Sequence, residues 1–142
     1  MICKRLHYNE SNVGVFIIES YKECEMKNLS LNKKTILVTG VAGFIGSNLC
    51  KCLLESVNDC TIIGIDNMNA YYDVSLKEYR LEKLLQNEQF IFLKGSIADK
   101  ELIDSVFVKY KPDIVVNLAA QAGVRYSITN PDADIESNMI GF

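Results

Sequence analysis

From Lys34 onward the chain alternates two hydrophobic patterns. Short runs rich in Ile, Val and Leu are separated by longer stretches in which apolar residues recur at helical spacing. The first run predicts a strand over 34–39, and Phe44, Ile45, Leu49, Leu53, Leu54 and Val57 predict a helix over about 44–57. A β-branched run at 61–65 predicts a second strand, closed by Asp66. A polar loop over 67–73 leads to a helix over about 75–87, with Leu76, Tyr79, Leu81, Leu84 and Leu85 as its apolar positions. A third strand follows at 90–93. Asp99 has the character of an N-cap, because Leu102, Ile103, Val106 and Phe107 follow it at helical spacing. Pro112-Asp113 ends that helix, and a fourth strand is predicted over 114–118. After the small-residue loop 119–123, Pro131 opens a last helix that the pattern continues to Phe142. Strands alternating with helices in this way predict an α/β fold, a parallel sheet covered on both faces. Right-handed crossovers then set the strand order 3-2-1-4.

The turn after the first strand carries the chemistry. Thr39-Gly40 ends the apolar run, and glycines stand at 40, 43 and 46 as the next helix begins. A strand, a glycine turn and a helix start are the context that dinucleotide binding requires. Gly40 allows the sharp turn, Gly43 lets backbone approach a pyrophosphate, and Gly46 lets the helix pack closely. The free N–H groups of the helix's first turn would face the phosphates. Asp66, at the tip of the second strand, is placed to accept from the adenosine ribose hydroxyls or else caps a helix or turn; in the first role its charge disfavours a 2′-phosphate, so NAD is expected over NADP. Asn67 and Asn69 in the following loop reach the ribose or phosphates, or shape the turn. The fold class is thus Rossmann-like and doubly wound, truncated after strand four and its following helix. Its crevice is expected at the carboxyl ends of strands one and four.

Composition narrows the class without changing it. The chain has 142 residues, 49% of them hydrophobic, and a net formal charge of −3 without a basic run, which argues against a nucleic-acid partner. The apolar run Val13 to Ile18 is too short to span a membrane, and residues 1–25 lack the order of a signal peptide, so a cytoplasmic protein is expected. Five scattered cysteines, none in a Cys-x-x-Cys pair, and a single histidine, His7, lead to no expected metal site or disulfide. Residues 1–33 lack the regular pattern and are expected to be a poorly ordered extension, leaving 34–142 as the partial NAD-binding domain.

The segments TGVAGFIGSNL, GIDNMNAYYDVSLKEYRL and NLAAQAGVRYSITNPDADIESNMIGF resemble the extended short-chain dehydrogenase/reductase family. Within it they are most similar to the nucleotide-sugar epimerases and dehydratases, particularly the UDP-glucuronate 4-epimerases, over about Lys34 to Phe142. The resemblance implies that Phe44 and Ile45 offer backbone N–H groups to the pyrophosphate. It implies that Asp66, Asn67 and Asn69 hold the adenosine ribose region, and that Leu118, Ala119 and Ala120 line the cofactor's path. Asn138 matches the asparagine of an Asn-x-x-Gly stretch, close to the cofactor or ordering the site, or is an ordinary polar residue of the helix. Arg125 faces the sugar nucleotide, or is a surface arginine. One position departs from the pattern: Ser96 stands where the family has an acid that contacts the adenine amino group, which weakens that contact by about 1 kcal/mol. Ile97 can still pack on adenine.

Family catalysis uses a Tyr-x-x-x-Lys pair that lies beyond strand four. The tyrosinate takes the C4 hydroxyl proton while NAD takes the hydride, and the lysine lowers the tyrosine pKa. This chain has one such spacing, Tyr79 to Lys83, but on the helix between strands two and three, where Tyr79 is expected to pack. No catalytic residue is therefore assigned. The expectation is the NAD-binding portion of an enzyme converting UDP-glucuronate to UDP-galacturonate, inactive as this truncated chain. Its expected partners are a UDP-sugar if the catalytic half is supplied, and a second copy or a complementing chain. The alternatives are a portion of a UDP-glucose 4-epimerase or of a sugar-nucleotide 4,6-dehydratase, or a non-catalytic NAD-binding module or remnant.

Overall fold

The computed structural model describes residues 30–70, 72–121 and 128–141. The expected extension lies almost wholly outside the described residues, as does Arg125. Residues from Leu31 onward form one compact unit. Its elements are β1 (Thr35–Thr39), α1 (Phe44–Ser56), β2 (Thr61–Asp66), α2 (Val74–Leu84), β3 (Phe90–Lys94), α3 (Lys100–Tyr110), β4 (Ile114–Asn117) and α4 (Pro131–Ile135), the last followed by a π-helical turn, Glu136–Ile140. The four strands form one parallel sheet in the order β3-β2-β1-β4, as the alternation predicted.

Strand periodicity divides the core in two. Ile36, Val38 and Ile62 point to one face, where Cys50, Leu81 and Leu84 pack from α1 and α2. Leu37, Ile63 and Ile65 point to the other, against Val106 of α3. Both faces of the strands are thus apolar, which is why β1 and β2 read as unbroken hydrophobic runs. Asp99 does cap α3: its carboxylate accepts from Leu102 N–H at 3.1 Å. Lys111 closes the same helix in the left-handed conformation, at φ 47°.

The helices differ from their predicted faces in three places. In α1 the buried positions are Gly46, Ser47 and Cys50, whereas Phe44 and Ile45 are exposed. The small residues face inward because the first turn of α1 lies too close to the glycine turn to admit a large side chain. In α2 the buried positions are Lys77, Leu81 and Leu84, while Leu76, Tyr79 and Leu85 are exposed. Tyr79 is therefore no packing residue of the core; the Lys83 ammonium lies 4.2 Å from its ring centroid on the outer face. Finally, the last helix does not run on as α-helix past Ile135. It widens into the π-helical turn, in which the Asn138 side chain bonds the backbone of Gln121.

Candidate dinucleotide cleft

Register brings the carboxyl ends of the strands level: Thr39 is opposite Ile65 on one side and Asn117 on the other, and Ile65 is opposite Leu93. A cleft of about 130 Å³ opens there. Of the residues expected to bind cofactor, it is lined by Gly40, Gly43, Asp66, Asn67, Asn69, Ser96, Ile97, Leu118, Ala119 and Ala120. Phe44, Ile45, Gly46 and Asn138 lie outside its lining. Loops separated by more than fifty residues in sequence thus converge on one place.

The glycine turn is built by contact distance. Gly40 adopts φ +67°, and a Cβ on it would come within 2.8 Å of the Ala119 nitrogen and the Leu118 carbonyl. A Cβ on Gly43 would lie 3.0 Å from the Gly40 carbonyl oxygen, and one on Gly46 would overlap that same oxygen. The turn is therefore closed tightly against both β4 and the start of α1. Ser47 makes the first helical bond, to the Gly43 carbonyl at 3.0 Å. The N–H groups before it head the helix without an intrahelical acceptor. Gly43 supplies no side-chain cap, and the first turn contains no acidic residue. The positive end of α1 is thus uncompensated by its own sequence, an arrangement suited to phosphate.

Thr39 ties the two sides of the turn together. Buried at the end of β1, its hydroxyl donates to Asn117 Oδ1 and accepts from the N–H groups of Leu118 and Ala119, each at 3.1 Å. It holds the small-residue stretch after β4 beside Gly40. Leu118, Ala119 and Ala120 line the cleft beside it, and Leu118 also packs against the core.

Asp66 is 7% exposed and already engaged. Its Oδ2 accepts from Ala42 N–H at 3.1 Å, and its Oδ1 from Met68 N–H at 2.9 Å. Lys77 Nζ stands 3.4 Å from Oδ1 and donates to Asn69 Oδ1 at 2.8 Å. Asp66 therefore acts as a turn cap and an ion-pair partner. An ionised carboxylate accepts at about four sites, and three are taken here. Lys77, invisible to a reading of apolar spacing, shares the burial of Asp66 and largely offsets its charge. Asn67 shapes the loop by accepting from Asn69 N–H at 3.0 Å. Ser96 does the same after β3, its Oγ accepting from Ala98 N–H at 3.2 Å. Ile97 is packed by the chain after the π-helical turn: a Cβ on Gly141 would meet its side chain within 2.6 Å.

Asn138 reaches the cleft through another residue. Its side-chain amide pairs with both the N–H and the carbonyl of Gln121, at 2.9 Å each. Gln121, Lys77 and Tyr72 also line the cleft and were not anticipated. Lys77 shares the buried face of α2 with Leu81 and Leu84, at i, i+4 and i+7. Tyr79 and Lys83 do not line the cleft. Among the described residues, no group of three or more His, Cys, Asp or Glu could hold a metal ion, and no helix is long and apolar enough to cross a membrane.

Known proteins resemble this chain in sequence and fold. A family model described as GDP-mannose 4,6 dehydratase matches residues 37–142. Protein CapI of Staphylococcus aureus is 52% identical over 107 residues, 75% of this chain and 31% of that protein. A UDP-glucuronate 4-epimerase of Thermodesulfobacterium geofontis is 42% identical over 105 residues, 74% of this chain and 32% of the enzyme. Among solved structures, the UDP-glucuronic acid 4-epimerase of Bacillus cereus in complex with UDP-glucuronic acid and NAD superposes with a TM-score of 0.67 at 33% identity. That match covers 75% of this chain and 33% of that one. The chain thus spans about a third of the length of the relatives it matches.

Proposed function

The chain belongs to the GDP-mannose 4,6-dehydratase family, whose relatives here are nucleotide-sugar 4-epimerases and dehydratases, and on that premise we propose that it is the NAD-binding portion of a UDP-glucuronate 4-epimerase. The observation that carries the reading is the glycine turn. No Cβ fits at Gly40 or Gly46 without displacing backbone, one at Gly43 would press on the Gly40 carbonyl, and the turn leads into an uncapped helix terminus beside the cleft. In the proposed complex the head of α1, with Gly43, Phe44 and Ile45, receives the pyrophosphate. Asp66, Asn67 and Asn69 orient the adenosine ribose, Ser96 and Ile97 border the adenine, and Leu118 to Ala120 flank the path toward the nicotinamide. NAD held there would supply a hydride acceptor and donor for C4 of the sugar. The described residues bind and orient it; the acid–base pair is proposed to come from outside them. The 142-residue chain by itself is therefore proposed to bind dinucleotide without epimerising UDP-glucuronate, in the cytoplasm.

Titration calorimetry of the whole chain with NAD tests this. Saturable binding is expected, together with no conversion of UDP-glucuronate. Absence of binding up to about 1 mM, equivalent to about −4 kcal/mol, overturns the cofactor assignment. Turnover by the purified chain overturns the assignment as a binding portion only.

A further inference from the structure

Gln121 carries a buried polar atom left over at the cleft. The residue is 7% exposed, Asn138 grips its backbone on both sides, and its Oε1 accepts from Asn69 Nδ2 at 3.3 Å. Its Nε2 is buried without a hydrogen-bond partner. A buried amide NH₂ without an acceptor is destabilising, so such groups are rare unless a ligand completes them.

The two ends of an amide side chain are alike in shape, so the identity of the spare end has to come from its neighbours. Here the neighbours decide it. Lys77 can only donate, and it is held at Asp66. Asn69 must therefore turn Oδ1 toward Lys77, as it does at 2.8 Å, which aims its Nδ2 at Gln121. Gln121 must answer with Oε1. The group left without a partner, on a residue that lines the cleft, is a donor. The relay Asp66–Lys77–Asn69–Gln121 joins the loop after β2, α2 and the loop after β4, and all four residues line the same cleft.

We propose that Gln121 Nε2 donates a hydrogen bond to an acceptor oxygen of the bound dinucleotide, and that Lys77, acting through Asn69, is the positioning residue that fixes this polarity. The inference rests on the dinucleotide reading above and adds to it a ligand contact and its direction. The acceptor is a ribose or phosphate oxygen, and the choice of probe separates the two halves of the cofactor.

The test is the substitution Gln121→Glu in the whole chain, titrated with NAD and separately with adenosine 5′-monophosphate. Glutamate keeps the shape and the bond from Asn69 but turns an acceptor toward an acceptor. NAD affinity is expected to fall about tenfold or more at pH 7.5. The loss should shrink as the pH is lowered toward 5, where a protonated carboxyl regains a donor. Wild type should show no such recovery. A penalty seen with the monophosphate as well places the acceptor on the adenosine half; one confined to NAD places it beyond. A second measurement needs no variant: the Gln121 side-chain amide resonances of the wild-type chain should shift on addition of NAD. Wild type that binds NAD with those resonances unmoved, or Gln121→Glu binding within twofold of wild type, overturns this inference and leaves the dinucleotide reading standing. Wild type that binds no NAD overturns both.

Discussion

Gly46→Ala is a substitution for which local and tertiary physics predict opposite signs. Gly46 lies inside α1, and replacing a helix-interior glycine by alanine normally stabilises by about 1 kcal/mol. In this fold the new methyl would overlap the Gly40 carbonyl oxygen and lie 3.0 Å from the Val41 Cα. The carbonyl cannot simply retreat. Gly40 is packed so closely on β4's end that a Cβ on it would lie 2.8 Å from the backbone of Leu118 and Ala119, and the N–H groups of those two residues are fixed on the Thr39 hydroxyl. Backbone rather than a flexible side chain must move, so the upper part of the overpacking range applies, about 3 kcal/mol. The net expectation is a loss of about 2 kcal/mol, or about 10 °C in Tm for a domain of this size. Urea denaturation followed by circular dichroism measures it, with equal m-values confirming that the same transition is compared. NAD binding should weaken in parallel, because the displaced turn is the proposed pyrophosphate site. An alanine variant as stable as wild type, or more so, would refute the close approach on which the cleft is built.

Lys77→Met should cost about 3 kcal/mol in the same assay, since it leaves the Asp66 carboxylate buried without its cation; a loss below about 1 kcal/mol would show that the two backbone N–H groups suffice. Asp113 is held below its usual carboxylate range, chiefly by the Lys34 side chain at 2.8 Å and then by Thr35 N–H. A carboxyl lowered in the folded state stabilises above its unfolded pKa and loses that contribution as pH falls through the folded one. Asp113→Asn should therefore flatten the acid limb of stability below about pH 4, and an unchanged limb would remove the pair from the account. Burial, followed by the nearby Cys60, pushes the Cys50 thiol up to about 12, whereas Cys52 is exposed. Iodoacetamide at pH 8, read by peptide mass mapping, should label Cys52 well before Cys50 or Cys60; early modification of Cys50 would contradict the packing of α1 on the sheet.

Strand order, the glycine turn and the convergence of Asp66, Ser96 and Ala119 at one end of the sheet were all legible in the sequence. Each rests on a short window: a β-branched run, a glycine at a positive φ, or an acid at a strand tip. Right-handed crossovers then leave few ways to join the windows. The side chains that reach between loops were not legible. Lys77 looks like any solvent-facing helix residue until Asp66, eleven positions earlier, is placed beside it. Gln121 looks like a polar loop residue until Asn69, fifty-two positions away, takes its oxygen. Phe44 and Ile45 were counted with an apolar face because periodicity registers spacing and not the closeness of the glycine turn that keeps large side chains out.

The order of elements, the parallel sheet and the place of the cleft were thus determined by sequence alone, because hydrophobic period and turn chemistry act over a few neighbouring residues. Tertiary structure decided which polar groups in the cleft satisfy one another and which are left over. A buried hydrogen bond exists only between groups the fold has brought within about 3 Å, and nothing in either residue's own neighbourhood records the distance to its partner.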